Sequence, residues 1–254
     1  MIKYPEFAKQ MLYWGYKWEP IMVKTEDGFN LTTFHLTGRT FGHPHKERDP
    51  SLNPVVMMNG LECDATSYFG IGDKNAPSIP LRLYERGFDV YLANNRGTKY
   101  SREHDKYTVD DAEFWDWTWM EMGSQDDIEN IKMIVEKTGK KVSYIGASAG
   151  TVQMFYALAA HQDFLKDNMF MFAATDPCTI AIVEDKHCLE DGLFHFQDYG
   201  VYAFGGPNWD RDLKTICDNF DQAICDYATE YGSGEAFSVK SQVHWAQNSL
   251  QNRF

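Results

Sequence analysis

Residues 143–152 read SYIGASAGTV, and inside them Gly146-Ala147-Ser148-Ala149-Gly150 forms a Gly-x-Ser-x-Gly pentapeptide. A serine hydroxyl is a weak nucleophile unless a strained strand-to-helix turn holds it clear of its neighbours beside a base. Glycines on both sides let such a turn close without steric clash. The chemistry this arrangement suits is acyl transfer, with Ser148 as the candidate nucleophile. A second segment, MNGLEC at 58–63, leaves a short apolar run in the way an oxyanion loop leaves its strand. The backbone N–H groups of Leu61 and Ala149 are then the candidate oxyanion donors, a task that needs donors and no particular side chain. Taken alone, Asn59-Gly60 reads in preference as an ordinary turn after a strand.

The elements needed to position these residues are legible around them. KVSYIGAS predicts a buried strand before Ser148, and TVQMFYALAAH a largely apolar helix after it. Upstream, EPIMVKTEDGFNLTTFHLT (19–37) reads as a hairpin turning at Gly28. PVVMMNG (54–60) reads as a buried strand, PSIPLRLYERG (77–87) as a helix from Ser78 to Gly87, and FDVYLANN (88–95) as the next strand. SQDDIENIKMIVEKTG predicts a helix capped by Ser124, with Asp126 and Asp127 in its first turn and Gly139 at its end. NMFMFAATDP predicts a further strand. Strands alternating with helices over short connections imply a mostly parallel sheet in an α/β fold. After Pro177 the pattern loses its periodicity, so the expected division is a core over 1–177 and a lid over 178–254.

Composition removes several function classes. There are 24 Lys plus Arg against 37 Asp plus Glu, a formal net charge of −13, which argues against nucleic acid as a partner. No apolar run approaches the roughly 20 residues of a membrane span. The opening MIKYPEFAKQMLYWGY lacks the continuous apolar core of a secretory signal. The five cysteines include no C-x-x-C pair, so a zinc site is not expected. Cys217 and Cys225 either close a small loop or stay free. The Trp-rich FWDWTWMEM at 114–122 reads as core packing in preference to a ligand platform.

Read together, YWGY, VKTEDGFNL, NGLECDATSYF, LYERGFDVYLANNRGTKYSREH, EFWDWTWMEMGSQDDIENI, KVSYIGASAGT and SVKSQVHWAQNSLQNRF resemble, in order, the acid lipases of the gastric and lysosomal type. The resemblance implies an α/β-hydrolase core with a partly helical lid, acting on triacylglycerol or sterol esters without metal or organic cofactor. It implies Ser148 as nucleophile with Leu61 and Ala149 as oxyanion donors, and a secreted or lysosomal setting. It also implies that Arg96, in Asn95-Arg96-Gly97, anchors a loop through backbone-directed hydrogen bonds.

The departures from the family pattern bear on activity. Asn59-Gly60 stands where the family has His-Gly, and Ala147-Ser148-Ala149 where it has His-Ser-Gln. The family's triad Asp and His follow the motif that reads here SVKSQVHWAQ, so the expectation is that neither lies within these 254 residues. Asp176, just past the strand MFMFAAT, is the alternative acid, against a plain turn role before Pro177. His187, His195 and His244 read as structural histidines, and His43 and His45 as loop residues. Two functions stay open: a lipase or esterase whose acid and base come from another segment or chain, and an inactive lipase-derived subunit of a larger assembly. In both, a second chain or a further C-terminal segment is expected to complete the sheet beside residues 168–176.

Overall fold

The computed structural model of the chain describes residues 4–40, 47–69, 77–178, 192–232 and 234–251. Helix α1 (Pro5–Trp14) carries its proline in the first turn and sends Phe7, Met11 and Trp14, spaced at helical intervals, into the core. Strands β1 (Tyr16–Lys24) and β2 (Phe29–Arg39) pair antiparallel as the expected hairpin, with Gly28 at φ 104° in the turn. β3 (Val55–Met58), α2 (Ile79–Glu85) and β4 (Val90–Ala93) follow, and then the short β5 (Glu103–His104) beside β2. Helix α3 (Trp119–Glu121) passes through a π-helical turn, Met122–Asp127, into α4 (Ile128–Thr138). β6 (Val142–Ala147), α5 (Ala149–Ala160), α6 (Gln162–Asn168) and β7 (Met169–Thr175) complete the sheet region.

The strand order is β1-β2-β4-β3-β6-β7, with β4, β3, β6 and β7 mutually parallel. Strands β3 and β4 are buried at every position, as parallel strands covered on both faces must be. One face packs Phe7, Phe34, Met57 and Leu92. The other packs Val56, Met58, Tyr91, Ile131 and Met154. This is the α/β-hydrolase architecture that the sequence implied. Among the described residues β7 is an edge strand, and its Phe170 and Met171 are exposed.

Two local expectations are corrected. The helix leading to Gly139 is not capped at Ser124. It starts at Trp119, behind Thr118, whose Oγ1 accepts from Met120 N at 3.1 Å while Glu121 Oε2 accepts from Thr118 N at 2.7 Å. Ser124 instead lies in the π-helical turn. Gly123 permits that turn, because a Cβ there would collide with the carbonyl of Gln153 on α5. The wide turn points Asp126 and Asp127 inward, fully buried, where the sequence pattern placed them in the first turn of a helix. The second correction concerns Arg96, whose guanidinium bonds carboxylates, not backbone. Nε donates to Asp126 Oδ1 at 2.9 Å and Nη1 to Asp27 Oδ2 at 2.7 Å, with Phe29 beneath the guanidinium plane.

Residues beyond 192 form a second, mostly helical body. It comprises a 3₁₀ stretch, Leu193–Tyr199, with β8 (Ala203–Phe204), α7 (Trp209–Asn219), α8 (Gln222–Tyr231), β9 (Phe237–Ser238) and α9 (Val239–Gln251). Leu193, Phe196, Phe204, Ile216, Ile224 and Val239 give it a core of its own. Of the two readings of Cys217 and Cys225, the disulfide is the one present, joining α7 to α8. The body is clipped to the sheet region by Ser238 Oγ donating to Trp115 O at 2.6 Å. A second clip is Lys99, whose ammonium meets Asp64 at 2.8 Å and Glu235 at 3.2 Å. Burial opposes that charge, but the Asp64 and Glu6 carboxylates outweigh it and hold the Lys99 pKa above its usual value. Arg96 is the equivalent tie within the core. Arg96→Met is therefore expected to destabilise the fold by about 3–5 kcal/mol in urea titration, since it strands two carboxylates without their cation.

Candidate active site

The site is built where β6 passes into α5. Ser148 sits between them at φ 49°, ψ −115°, a backbone region that residues with a side chain rarely adopt. Its N–H donates to Thr175 O at 3.0 Å and its carbonyl accepts from Thr151 N at 2.8 Å, so the strained turn is held from both sides. Thr175 Oγ1 also donates to Gly146 O at 3.0 Å, tying the ends of β6 and β7 together. The flanking glycines are required by contact. A Cβ on Gly150 would lie 2.6 Å from Met58 O and 2.9 Å from Asn59 O, and one on Gly146 would fall on Gly150 O. Backbone therefore touches backbone across β3, β6 and α5.

The loop after β3 arrives beside the hydroxyl. A Cβ on Gly60 would be 3.1 Å from Ser148 Cβ and 3.7 Å from Oγ, so this loop runs directly along the serine. Asn59, 98% buried, braces it by donating Nδ2 to Gly60 O at 3.1 Å and also to Cys63 O. Leu61 follows, half-buried, and Ala149 is the first residue of α5, whose N–H has no carbonyl one turn back within the helix. Both sequence-selected donors thus lie on the two backbone segments that flank Ser148. Leu61 and Ala149 join Trp119, Val152, Tyr156, Phe237 and Cys178 in one apolar cluster beside the turn.

Asp176 follows Thr175 directly and, like Ser148, takes a positive φ, 50°. It is exposed. The histidines are dispersed. His195 is exposed and pairs with Asp198 at 3.1 Å, whereas His244 stacks on Trp119 at 4.6 Å between centroids, and burial pushes its imidazole below the usual range. His43, His45 and His187 lie outside the described residues. Among the described residues the hydrogen-bond partner of Ser148 Oγ is Cys178 Sγ, at 3.8 Å. The described residues include no cluster of His, Cys, Asp and Glu suited to a metal, and none of their helices is long and apolar enough to cross a membrane.

Some features of the site were not singled out from sequence. Cys178 is one; nothing about its spacing marks it. Glu62 is another, at φ 55° in the loop after β3, with its backbone oxygen accepting from Glu235 N at 3.0 Å and its side chain against Gly234. Burial raises its carboxyl to about 7.

The fold defines the chain as an α/β hydrolase, and the proteins it resembles are of lipase or esterase type. Within that class it belongs to an acid-lipase-like family. A family model for the partial α/β-hydrolase lipase region matches residues 7–71. The human lysosomal acid lipase/cholesteryl ester hydrolase is 31% identical over 264 residues, covering 92% of this chain and 64% of that protein. Human gastric triacylglycerol lipase is 28% identical over 263 residues, covering 97% and 65%. A probable lipase of Schizosaccharomyces pombe is 30% identical over 260 residues, covering 92% and 56%. The chain thus spans under two thirds of the length of these relatives. Among solved structures, a hypothetical protein of Pseudomonas aeruginosa aligns with a TM-score of 0.53 at 11% identity over 92% of this chain and 72% of its own, which speaks to fold alone.

The geometry makes two predictions. Ser148→Gly relieves the strained turn and should stabilise the fold by about 1–3 kcal/mol, whereas Gly150→Val should lower the thermal midpoint sharply. The reverse ranking in calorimetry would mean that the turn is wrongly placed. The second concerns Glu62. Its folded pKa is raised, so the stability linked to it is present below the unfolded carboxylate pKa of about 4.3 and is lost as pH rises towards about 7. Glu62→Gln should flatten the pH dependence of stability over that window.

Proposed function

We propose that the chain forms the nucleophile and oxyanion half of a serine hydrolase that cleaves carboxylic esters of lipids, triacylglycerol or sterol esters in class. The observation that carries this reading is the conformation of Ser148, φ 49° and ψ −115°, with the Gly60 backbone laid against its side chain. Strain of this kind persists where the surrounding structure holds it and where an exposed hydroxyl is useful. In this mechanism Ser148 Oγ attacks the ester carbonyl. The N–H groups of Leu61 and Ala149 stabilise the tetrahedral oxyanion, the alcohol leaves, and water releases the acid. The apolar wall of Trp119, Tyr156 and Phe237 suits an acyl chain. No metal or organic cofactor enters these steps. The substrate class also agrees with the similarity to a gastric triacylglycerol lipase and a lysosomal acid lipase/cholesteryl ester hydrolase.

In this reading the base reaches Ser148 from outside the described residues, among which its partner is a thiol. In this reading a further segment of the polypeptide or a second chain pairs with the β7 edge, covers Phe170 and Met171, and brings the acid and base. An obligate contact of that kind buries more than about 1,000 Å². Asp176, on the rim after β7, is the internal candidate for the acid. The Ser148–Cys178 pairing equally favours the second reading, an inactive lipase-derived subunit in which the turn survives as scaffold.

Hydrolysis of p-nitrophenyl and triacylglycerol esters by the 254-residue chain tests the proposal. Without a base, turnover should sit about 10⁴- to 10⁶-fold below that of an intact triad, and the residual rate should disappear in Ser148→Ala. Robust turnover lost in Ser148→Ala would place the base inside these residues. A rate indifferent to Ser148→Ala would overturn Ser148 as nucleophile.

A further inference from the structure

Directly beneath the Ser148 turn lies a buried polar group that ester chemistry does not use. Asp127, Gln153 and Tyr144 are each at most 1% exposed, and Asn95 beside them 2%. Gln153 Nε2 donates to Asp127 Oδ1 at 2.8 Å and to Asn95 Oδ1 at 3.0 Å, which commits both of its amide hydrogens. Tyr144 Oη lies 3.0 Å from Asp127 Oδ1 and 2.9 Å from Gly150 O. Gly150 is the residue whose closeness to Met58 and Asn59 sets the turn, so this hydroxyl links Asp127 to the backbone that shapes the nucleophile's seat.

Proton counting constrains the group. A phenol has one hydrogen and a carbonyl oxygen can only accept. Both Tyr144 contacts are therefore satisfied when the phenol donates to Gly150 O and the carboxyl group itself is the donor towards Tyr144. Charge counting agrees. Arg96, the cation bonded to the neighbouring Asp126, is already shared with Asp27. Asp127 Oδ2, moreover, is buried with no partner among the described residues, a position that an ionised oxygen does not tolerate. Burial is also the chief cause that raises the Asp127 pKa well above the ordinary carboxylate range, and Asp126 adds to it. The titratable or charged groups facing Asp127 are Tyr144 from β6, Asp126 from its own turn, and, one layer out, Arg96, Asp27 and Tyr68.

We propose that Asp127 is a neutral carboxylic acid that acts as a positioning residue for Ser148, holding the first turn of α5 through Tyr144 and Gln153. The positioning role rests on Ser148 being the nucleophile; the protonation state does not. The sequence carries a trace of the arrangement, because Gln153 interrupts the otherwise apolar TVQMFYALAA and Asp127 doubles an acid that Arg96 needs only once.

Folding constants of the full chain and of Asp127→Asn, measured by urea titration from pH 5 to 7, test the protonation state. A carboxyl whose folded pKa is raised contributes stability below its unfolded pKa of about 3.9 that is lost as pH rises towards the folded value. The ratio of wild-type to Asp127→Asn folding constants should then fall about tenfold per pH unit across this window. A constant ratio overturns the proposal. Amide resonances of Ser148 and Ala149 read positioning without any need for turnover. They should stay in place in Asp127→Asn, which keeps a donor at this point, and shift in Asp127→Ala and Tyr144→Phe. If Asp127→Asn does not fold, an isotope-edited infrared carboxylic-acid band in the wild-type chain at pH 7, assigned by loss in Asp127→Ala, supports the proposal, and its absence overturns it. Unchanged Ser148 and Ala149 resonances in Tyr144→Phe would remove the positioning role whatever the outcome of the ester assays.

Discussion

The contact on which the rest depends is backbone against backbone, where the start of α5 crosses the end of β3. Gly150 has space for a hydrogen and nothing more between itself and the carbonyls of Met58 and Asn59. Because no side chain separates them, the loop after β3 can run along Ser148, and the serine must take its strained φ to enter the helix. The sheet order follows the same constraint: β3 and β6 are neighbours and parallel, so their C-terminal ends arrive together and place the Asn59-Gly60-Leu61 loop and Ser148 on one rim. Open α/β sheets present their chemistry at such a rim.

Two buried carboxyl groups support this contact in opposite ways. Asp126 is spent on Arg96, which also reaches Asp27 and so ties the π-helical turn to the β1–β2 hairpin. Asp127 has no cation among the described residues and touches α5 through Gln153 and the phenol of Tyr144. The side of the turn facing Asp127 is thus polar and closed. The side facing Leu61, Trp119, Tyr156 and Cys178 is apolar. The helical body after residue 192 has a separate core and is joined to the sheet region at Trp115, Lys99 and the Glu62–Glu235 backbone bond.

Much of this was legible in the sequence because it depends on local pattern. The hairpin at Gly28, the strands around Val55–Met58 and Val142–Ala147, and the serine turn between two glycines are set by residues near one another in the chain. Most of what escaped depends on partners far away, although the first miss involves a local capping box. Ser124 has the type of an N-cap, yet Thr118 with Glu121 supplies a complete capping box earlier, and the close approach of Gly123 to Gln153 turns the intervening residues into a π-helical turn. Two adjacent aspartates read as first-turn acids of a helix until Arg96 and Gln153, from other elements, claim them. Cys178 carries no sequence signal of its position beside Ser148, because that proximity exists only after β7 has paired with β6.

The central claim is that the Ser148 turn and the loop after β3 together form a seat for a tetrahedral oxyanion. A crystal structure of the chain with an alkyl boronic acid tests it most directly, because boron adds to a serine oxygen as an ester carbonyl would. The account predicts a tetrahedral adduct on Ser148 Oγ with one boronate oxygen about 2.7–3.1 Å from the N–H groups of both Leu61 and Ala149. An adduct whose oxygens point away from those two N–H groups, or no adduct at Ser148 at saturating boronate, would contradict it.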